Sequence, residues 1–247
     1  MDARFAEDAR GYTAFGKERA VGASVSDLKE FWHVGQEHVE GDLAKLYPHN
    51  VWPKELPLFR PIVLEVFSAL ERVALQLLRA VGLYLRLPET HFSSMAERGN
   101  SVLRIIHYPP VGADAHQEAV RAAAHEDINL ITLLLGAEEA GLELLTKDRR
   151  WIGVSPPEGA MVVNIGDMLQ RLTNHVLPST THRVRNPDGE RARHSRYSMP
   201  FFLHLRSDFA FRTLPQCITA GNPDRYPVSI TADDYLQERL REIGLRK

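Results

Sequence analysis

His125-Glu126-Asp127 has the residue types and the spacing to hold a metal ion. It stands at the mouth of an apolar run, Ile128–Leu135, with the length and content of a β-strand. Side chains alternate along a strand, so His125 and Asp127 are expected on one face and Glu126 on the other. An imidazole beside a carboxylate supplies two ligands. A third must come from elsewhere, and His182, in Thr180-Thr181-His182-Arg183-Val184, lies on a later β-like run. Two histidines and one carboxylate leave three octahedral positions open, which suits iron(II) binding a co-substrate and dioxygen together. A donor set without thiolate fits iron(II) better than a structural zinc. In a chain with 11 histidines a His-x-Asp pair alone means little, and a lone strand histidine is more often simply packed.

Arg196 and Ser198 are also two apart, in Arg196-Tyr197-Ser198, and on a strand they share a face. An arginine grips a carboxylate with two parallel hydrogen bonds and a neighbouring hydroxyl adds a third. Beside a metal, the pair suits a dicarboxylate whose other end chelates the ion. Taken alone, Arg196 reads as a surface arginine.

These residues need a scaffold, and the chain has two textures. Up to about residue 98 apolar residues recur at helical spacing. They do so most clearly from Ile62 to Val81, after Pro57 and Pro61 and ending at Gly82. Asp27–Trp32 reads as a short strand or turn. From residue 101 short β-like runs follow: Ser101–Tyr108, Ile128–Leu135, Leu142–Leu145, Trp151–Val154, Met161–Ile165, Thr180–Val184 and Tyr197–Leu203. Asn186-Pro187-Asp188-Gly189 marks a turn between two of them. A last helix is expected over Ala232–Ile243 with Thr231 as N-cap. Seven short strands at such intervals predict a sandwich or jelly roll, mainly β with flanking α-helices. One domain, 1–247, is the simplest organisation: a helical flank over 1–98, a β-core over 99–210 and a C-terminal segment over 211–247.

Five segments in order resemble one family. They are His125–Leu134 (HEDINLITLL), Asn164–Leu169 (NIGDML), Thr173-Asn174, Ser179–Val184 (STTHRV) and Arg196-Tyr197-Ser198. The pattern, running from about Gly11 to Phe209, resembles the isopenicillin N synthase-like branch of the 2-oxoglutarate/iron(II) dioxygenases. The resemblance implies a double-stranded β-helix (jelly roll) with His125, Asp127 and His182 as iron ligands. It also implies Arg196 and Ser198 as receivers of the distal carboxylate of 2-oxoglutarate, with Tyr108 of His107-Tyr108-Pro109-Pro110 as a further contact. Plant members carry Asn-Tyr-Tyr-Pro where this chain has Ile106-His107-Tyr108-Pro109. The implied reaction couples oxidative decarboxylation of 2-oxoglutarate by dioxygen to hydroxylation, desaturation or ring closure of a small-molecule substrate. Some relatives keep the Arg-x-Ser pair yet are oxidases that consume no 2-oxoglutarate. A non-catalytic jelly-roll binding protein is the other alternative. Arg10–Gly16 resembles a family segment usually met later. The absent preceding elements would leave a sheet edge that a second copy of the chain can cover.

Other residues take lesser roles. Asn129 and Phe202 are candidate substrate contacts. Asp167 is expected to cap a short helix over Met168–Leu172, and Thr173-Asn174 to shape the pocket. Glu126 reads as structural, His175 and His194 as unconnected with iron, and Cys217 as a packing or surface residue. Thirty basic and 32 acidic residues, without blocks of like charge, give no reason to expect nucleic acid or an anionic membrane as a partner. One cysteine and no long apolar stretch point to a reducing compartment, and cytoplasmic location follows by default.

Overall fold

The computed structural model describes residues 10–18, 25–37, 40–112, 119–135 and 141–242. Strands β1 (Gly11–Thr13) and β2 (Glu30–Gly35) precede helices α1 (Leu43–Leu46), α2 (Phe59–Tyr84) and α3 (His91–Ala96). Then come β3 (Val102–Tyr108), β4 (Ala122–His125), β5 (Ile131–Leu135), β6 (Leu142–Leu145), β7 (Trp151–Gly153) and β8 (Met161–Ile165). After these follow α4 (Asp167–Leu172), β9 (His182–Val184), β10 (Arg196–Leu203), β11 (Ala210–Phe211), β12 (Ile230–Thr231) and α5 (Ala232–Glu242). The described strands form a six-stranded sheet, β1-β2-β3-β10-β5-β8, a four-stranded sheet, β4-β9-β6-β7, and the small pair β11-β12. All pairings are antiparallel. Side chains of both larger sheets line one cavity. This is the expected jelly roll with flanking helices.

Alternation along the strands sorts residues between two environments. On β10, Arg196, Ser198, Pro200 and Phe202 face the cavity between the sheets. Met199, Phe201 and Leu203 belong instead to the hydrophobic core on the other face. That core is closed by α2, which buries Val63, Phe67, Leu70, Ala74 and Leu78 at spacings of four, three, four and four. The Phe67 and Phe201 rings meet edge to face, with centroids 5.1 Å apart.

The helix departs from expectation at both ends. Pro61 lies inside its first turn, where a missing N–H costs nothing. Gly82 lies within it rather than ending it. A Cβ there would sit 3.3 Å from the Pro88 carbonyl oxygen, so glycine serves the close approach of the following loop. Three predicted strands begin later: β2 runs over Glu30–Gly35, β5 starts at Ile131 after a bend, and β9 starts at His182. Thr231 is the N-cap of α5: its Oγ1 accepts the Asp234 N–H at 3.0 Å and donates to Asp234 Oδ2 at 2.6 Å. Ile243 lies outside the described residues.

Replacing Phe201, fully buried between sheet and helix, by alanine is expected to cost about 3–5 kcal/mol in urea unfolding. A loss under about 1 kcal/mol would show that α2 does not close this core.

Candidate metal centre and co-substrate pocket

β4 and β9 are neighbours in the four-stranded sheet, with His125 the register partner of His182 across an irregular pairing. Their rings lie 4.4 Å apart. Nδ1 of His125 donates to the Ala123 carbonyl at 2.7 Å, and Nδ1 of His182 to the Thr180 carbonyl at 3.1 Å. A carbonyl only accepts, so in each neutral ring Nδ1 carries the proton and Nε2 keeps a lone pair. Both Nε2 atoms turn to Asp127 Oδ1, at 3.8 and 3.9 Å. These separations are too long for hydrogen bonds. One ligand atom from each of the three residues lies within 4.8 Å of the others, the only such His/Cys/Asp/Glu group among the described residues. A divalent ion fits this donor set.

His125 and Asp127 thus come together, though not by alternation along one strand. His125 ends β4, while Asp127 sits in the irregular stretch that carries the chain across to β5. Asp127 is 7% exposed. Its Oδ2 accepts from Thr132 Oγ1 at 2.5 Å and from Asn164 Nδ2 at 2.8 Å. Burial alone would raise its pKa, but the two imidazoles and these donors outweigh burial and hold it below the usual range. Burial first, and then His182, push His125 down to about 4, so its imidazole is neutral near pH 7. Sequence reasoning missed Thr132 and Asn164. Their one signal is that they are polar residues on otherwise apolar strands.

Arg196 and Ser198 are 3% and 6% exposed and line the same cavity of about 220 Å³ as His125, Asp127 and His182. Tyr108 faces Arg196 in the β3–β10 register, and the guanidinium lies 5.0 Å from the centre of its ring. Phe202 reaches this cavity too, with the Arg104 guanidinium 5.3 Å from its ring and 4.2 Å from that of Phe31. Arg104 also donates to Glu18 at 3.1 Å, and Glu18 pairs with buried Lys29 at 3.2 Å. Lys29 pairs in turn with Asp27 at 2.8 Å, and Asp27 Oδ1 accepts the Ala123 N–H on β4 at 3.0 Å. This buried ionic chain braces the strand that ends in His125, and nothing in the local sequence announced it.

The structure gives the remaining residues distinct roles. Asn129 is buried and spends its amide on the Ile131 carbonyl at 2.8 Å and on Thr132 Oγ1 at 3.0 Å. It therefore steadies the hydroxyl that holds Asp127. Asp167 makes no cap, since Gly166 occupies the N-cap position. It pairs with Arg239 of α5 at 3.0 Å, and burial, then a hydrogen bond shared with Glu126, push it up to about 7. Thr173 and Asn174 are fully buried, and Asn174 binds backbone at Cys217, Asn222, Pro223 and Arg225 rather than facing the cavity. Cys217 is buried. Glu126 accepts from Thr181 Oγ1 at 2.9 Å, away from the imidazoles, as expected. His175 hydrogen-bonds Tyr226 at 2.6 Å and exposed His194 lies near Glu190, neither with a tie to the centre.

His204 follows β10 and is 8% exposed, with no hydrogen-bond partner at Nδ1 among the described residues. Burial, and then the charge of Arg10, lower its pKa from 6.5 to about 4. The fold holds the ring neutral, so its contribution is complete above pH 6.5 and is lost as pH falls to about 4. The loss is on the order of 3 kcal/mol. Urea unfolding at pH 7 and 4.5 should show that much less acid destabilisation in His204→Phe than in the parent. Equal losses would show that His204 is not held neutral.

Comparison with known proteins gives the same picture. The model of the 2OG-Fe(II) oxygenase superfamily matches residues 99–205. A 2-oxoglutarate-Fe(II) type oxidoreductase of Emericella nidulans is 33% identical over 245 residues, covering 94% of this chain and 68% of its own. A crystal structure from Caulobacter crescentus, described as a 2OG-Fe(II) oxygenase family protein, superposes with a TM-score of 0.89 at 53% identity. That match covers 98% of this chain and 78% of the other. The crystal structure of a full-length Neurospora crassa protein in complex with alpha-KG and thymine gives a TM-score of 0.82 at 27% identity, with coverage of 98% and 78%.

Proposed function

This chain belongs to the 2OG-Fe(II) oxygenase superfamily, and we propose from that membership that His125, Asp127 and His182 hold its iron while Arg196, Ser198 and Tyr108 hold 2-oxoglutarate. The observation that carries the assignment is the locking of both Nδ1 atoms on backbone carbonyls, which points two Nε2 lone pairs at one carboxylate oxygen. We read the chain as one domain with its jelly-roll core over 99–210, in the isopenicillin N synthase-like branch. We place it in the cytoplasm on its single cysteine.

Iron bound here supplies the dioxygen chemistry, in which 2-oxoglutarate is decarboxylated to succinate and carbon dioxide while a small-molecule substrate is oxidised. The protein's own residues hold and exclude. Thr132 and Asn164 keep Oδ2 of Asp127 occupied, which leaves Oδ1 for the metal. The guanidinium of Arg196 and the hydroxyl of Ser198 take the distal carboxylate, with Tyr108 packed against the cation. Ile106, Leu134, Leu142, Leu144, Val184 and Pro200 line the same cavity, keeping water from the reacting end and strengthening the charge pair. Phe202 and Asn129 meet the substrate in a second cavity, of about 210 Å³, that also borders His125 and Asp127, and Asn129 also steadies Thr132. Neither an oxidase that ignores 2-oxoglutarate nor a non-catalytic jelly roll draws a specific observation to its side.

Anaerobic iron(II) and 2-oxoglutarate should produce a weak visible band, and air should then yield succinate. His182→Ala should lose both the band and bound iron; unchanged iron content would sink the ligand assignment. Asn164→Ala should weaken metal binding by about 10–100-fold in a competition titration. Arg196→Gln should raise the 2-oxoglutarate concentration that half-saturates the band by at least about tenfold, with metal affinity kept. An unchanged value would move the co-substrate elsewhere.

A further inference from the structure

Alternation turns part of β2, β3 and β10 away from the cavity that Tyr108 and Arg196 line, and side chains of the three strands meet on that outer face. Glu30 of β2 is the register partner of His107 of β3, which is in turn the partner of Tyr197 of β10. Ser195 stands two residues before Tyr197 and shares its side of the sheet. His107 Nδ1 lies 2.8 Å from Glu30 Oε1, and its Nε2 lies 3.0 Å from Ser195 Oγ. The Tyr12 hydroxyl, from β1, donates to the other oxygen of Glu30.

Hydrogen bonds from Tyr12 first, and then from His107, hold the Glu30 carboxyl below its usual range, so at neutral pH it is ionised and only accepts. In the neutral imidazole the proton therefore sits on Nδ1, and Nε2 keeps a lone pair for the Ser195 O–H. A hydroxyl donating to an imidazole whose far nitrogen is held by a carboxylate is the arrangement that makes a serine nucleophilic. The His107 and Glu30 side chains are 30% and 27% exposed and Ser195 is half-buried, so small molecules reach them from solvent. The Tyr197 ring is 67% exposed and stacks on His107, with centroids 5.0 Å and planes 18° apart, which adds a flat aromatic surface next to the imidazole. None of these groups lines either cavity at the metal centre.

We propose that Ser195, His107 and Glu30 form a second reactive site, on the outer face of the sheet, at which Ser195 cleaves small aryl esters. The Ser195 oxygen adds to the ester carbonyl carbon while its proton passes to His107 Nε2. The bond to the phenoxide then breaks, His107 gives that proton to the leaving oxygen, and Ser195 is left acylated. Water attacks the acyl group, His107 takes the water's proton and returns it to Ser195 Oγ, and the carboxylic acid departs. Glu30 and Tyr12 are positioning residues, since they act through the imidazole. No electrons are transferred, so the site works independently of the iron centre. The face is open, so its substrates are esters with good leaving groups, and a base so placed contributes about 10²–10⁴-fold.

A fluorophosphonate, which phosphonylates activated serines, and p-nitrophenyl acetate test it on the iron-loaded protein. Mass spectrometry should find one phosphonyl group, on Ser195, and ester cleavage should be unchanged by a metal chelator. Ser195→Ala should remove the label, and Ser195→Ala and His107→Gln should each slow ester cleavage by at least about 100-fold. Glu30→Gln should slow phosphonylation by at least about tenfold, and Glu30→Asp should recover part of that loss. Circular dichroism identifies a variant that fails to fold, in which case the others decide. No label at millimolar probe, a label on another residue, ester cleavage that stops with the chelator, or full rates in these variants would overturn the proposal.

Discussion

A carboxylate taken out of water has to be surrounded by groups that want its charge, and much of this protein is arranged around that need at Asp127. Its two oxygens are treated differently. One is enclosed by a hydroxyl from β5 and an amide from β8, the other faced by two imidazoles from the opposite sheet. Its carbonyl accepts the first N–H of α4, Asp167, at 2.7 Å. One residue in an irregular crossing therefore ties together both sheets and a helix. The register Thr132↔Asn164 in the β5–β8 ladder brings the two donors side by side. A slip of one residue would turn them to the opposite face.

The same alternation separates chemistry from stability. The cavity-facing residues of β10 bear charge, hydroxyl and aromatic ring, while the residues between them bind the sheet to α2 through Phe67. The polar cavity would be costly if it were the sheet's only contact. Burial of the opposite face offsets that cost, at roughly 25 cal/mol per Å² of apolar surface. Long-range ionic contacts complete the frame: Lys29, Glu18 and Asp27 behind β4, and Arg239 with Asp167 behind Asp127.

His182 and Arg196-x-Ser198 were legible because they sit on strands of clear pattern, within motifs whose order carried the family resemblance. His125 and Asp127 do come together with His182, but not on the geometric ground the sequence offered. Ala122-Ala123-Ala124 has none of the branched or aromatic residues that mark a strand, so β4 was invisible and the pair was assigned to β5. Asp167 looked like a cap because an acidic residue before a short helix usually is one. Its true partner, Arg239, is remote in sequence, and no local pattern reveals such a pairing. Thr132, Asn164 and Asn129 escaped for a related reason. Small uncharged residues bear no motif, and their role lies wholly in what they touch. Thr173 and Asn174 read as pocket residues by proximity to the motifs, whereas burial assigns them to the floor under the 217–225 loop.

The two cavities share His125, Asp127, Arg104 and Phe202, and their remaining walls differ in kind. The walls of the first are almost all strand residues held in register by ladders on either side. Those of the second include Leu46, Pro48 and the inner face of α5, which no ladder constrains. A substitution in the first disturbs the sheets along with the chemistry, whereas one at Leu236 or Leu240 in the second leaves every strand pairing in place. A change on α5 therefore reaches the border of the metal centre without breaking a strand pairing, a freedom that the walls built of strands lack.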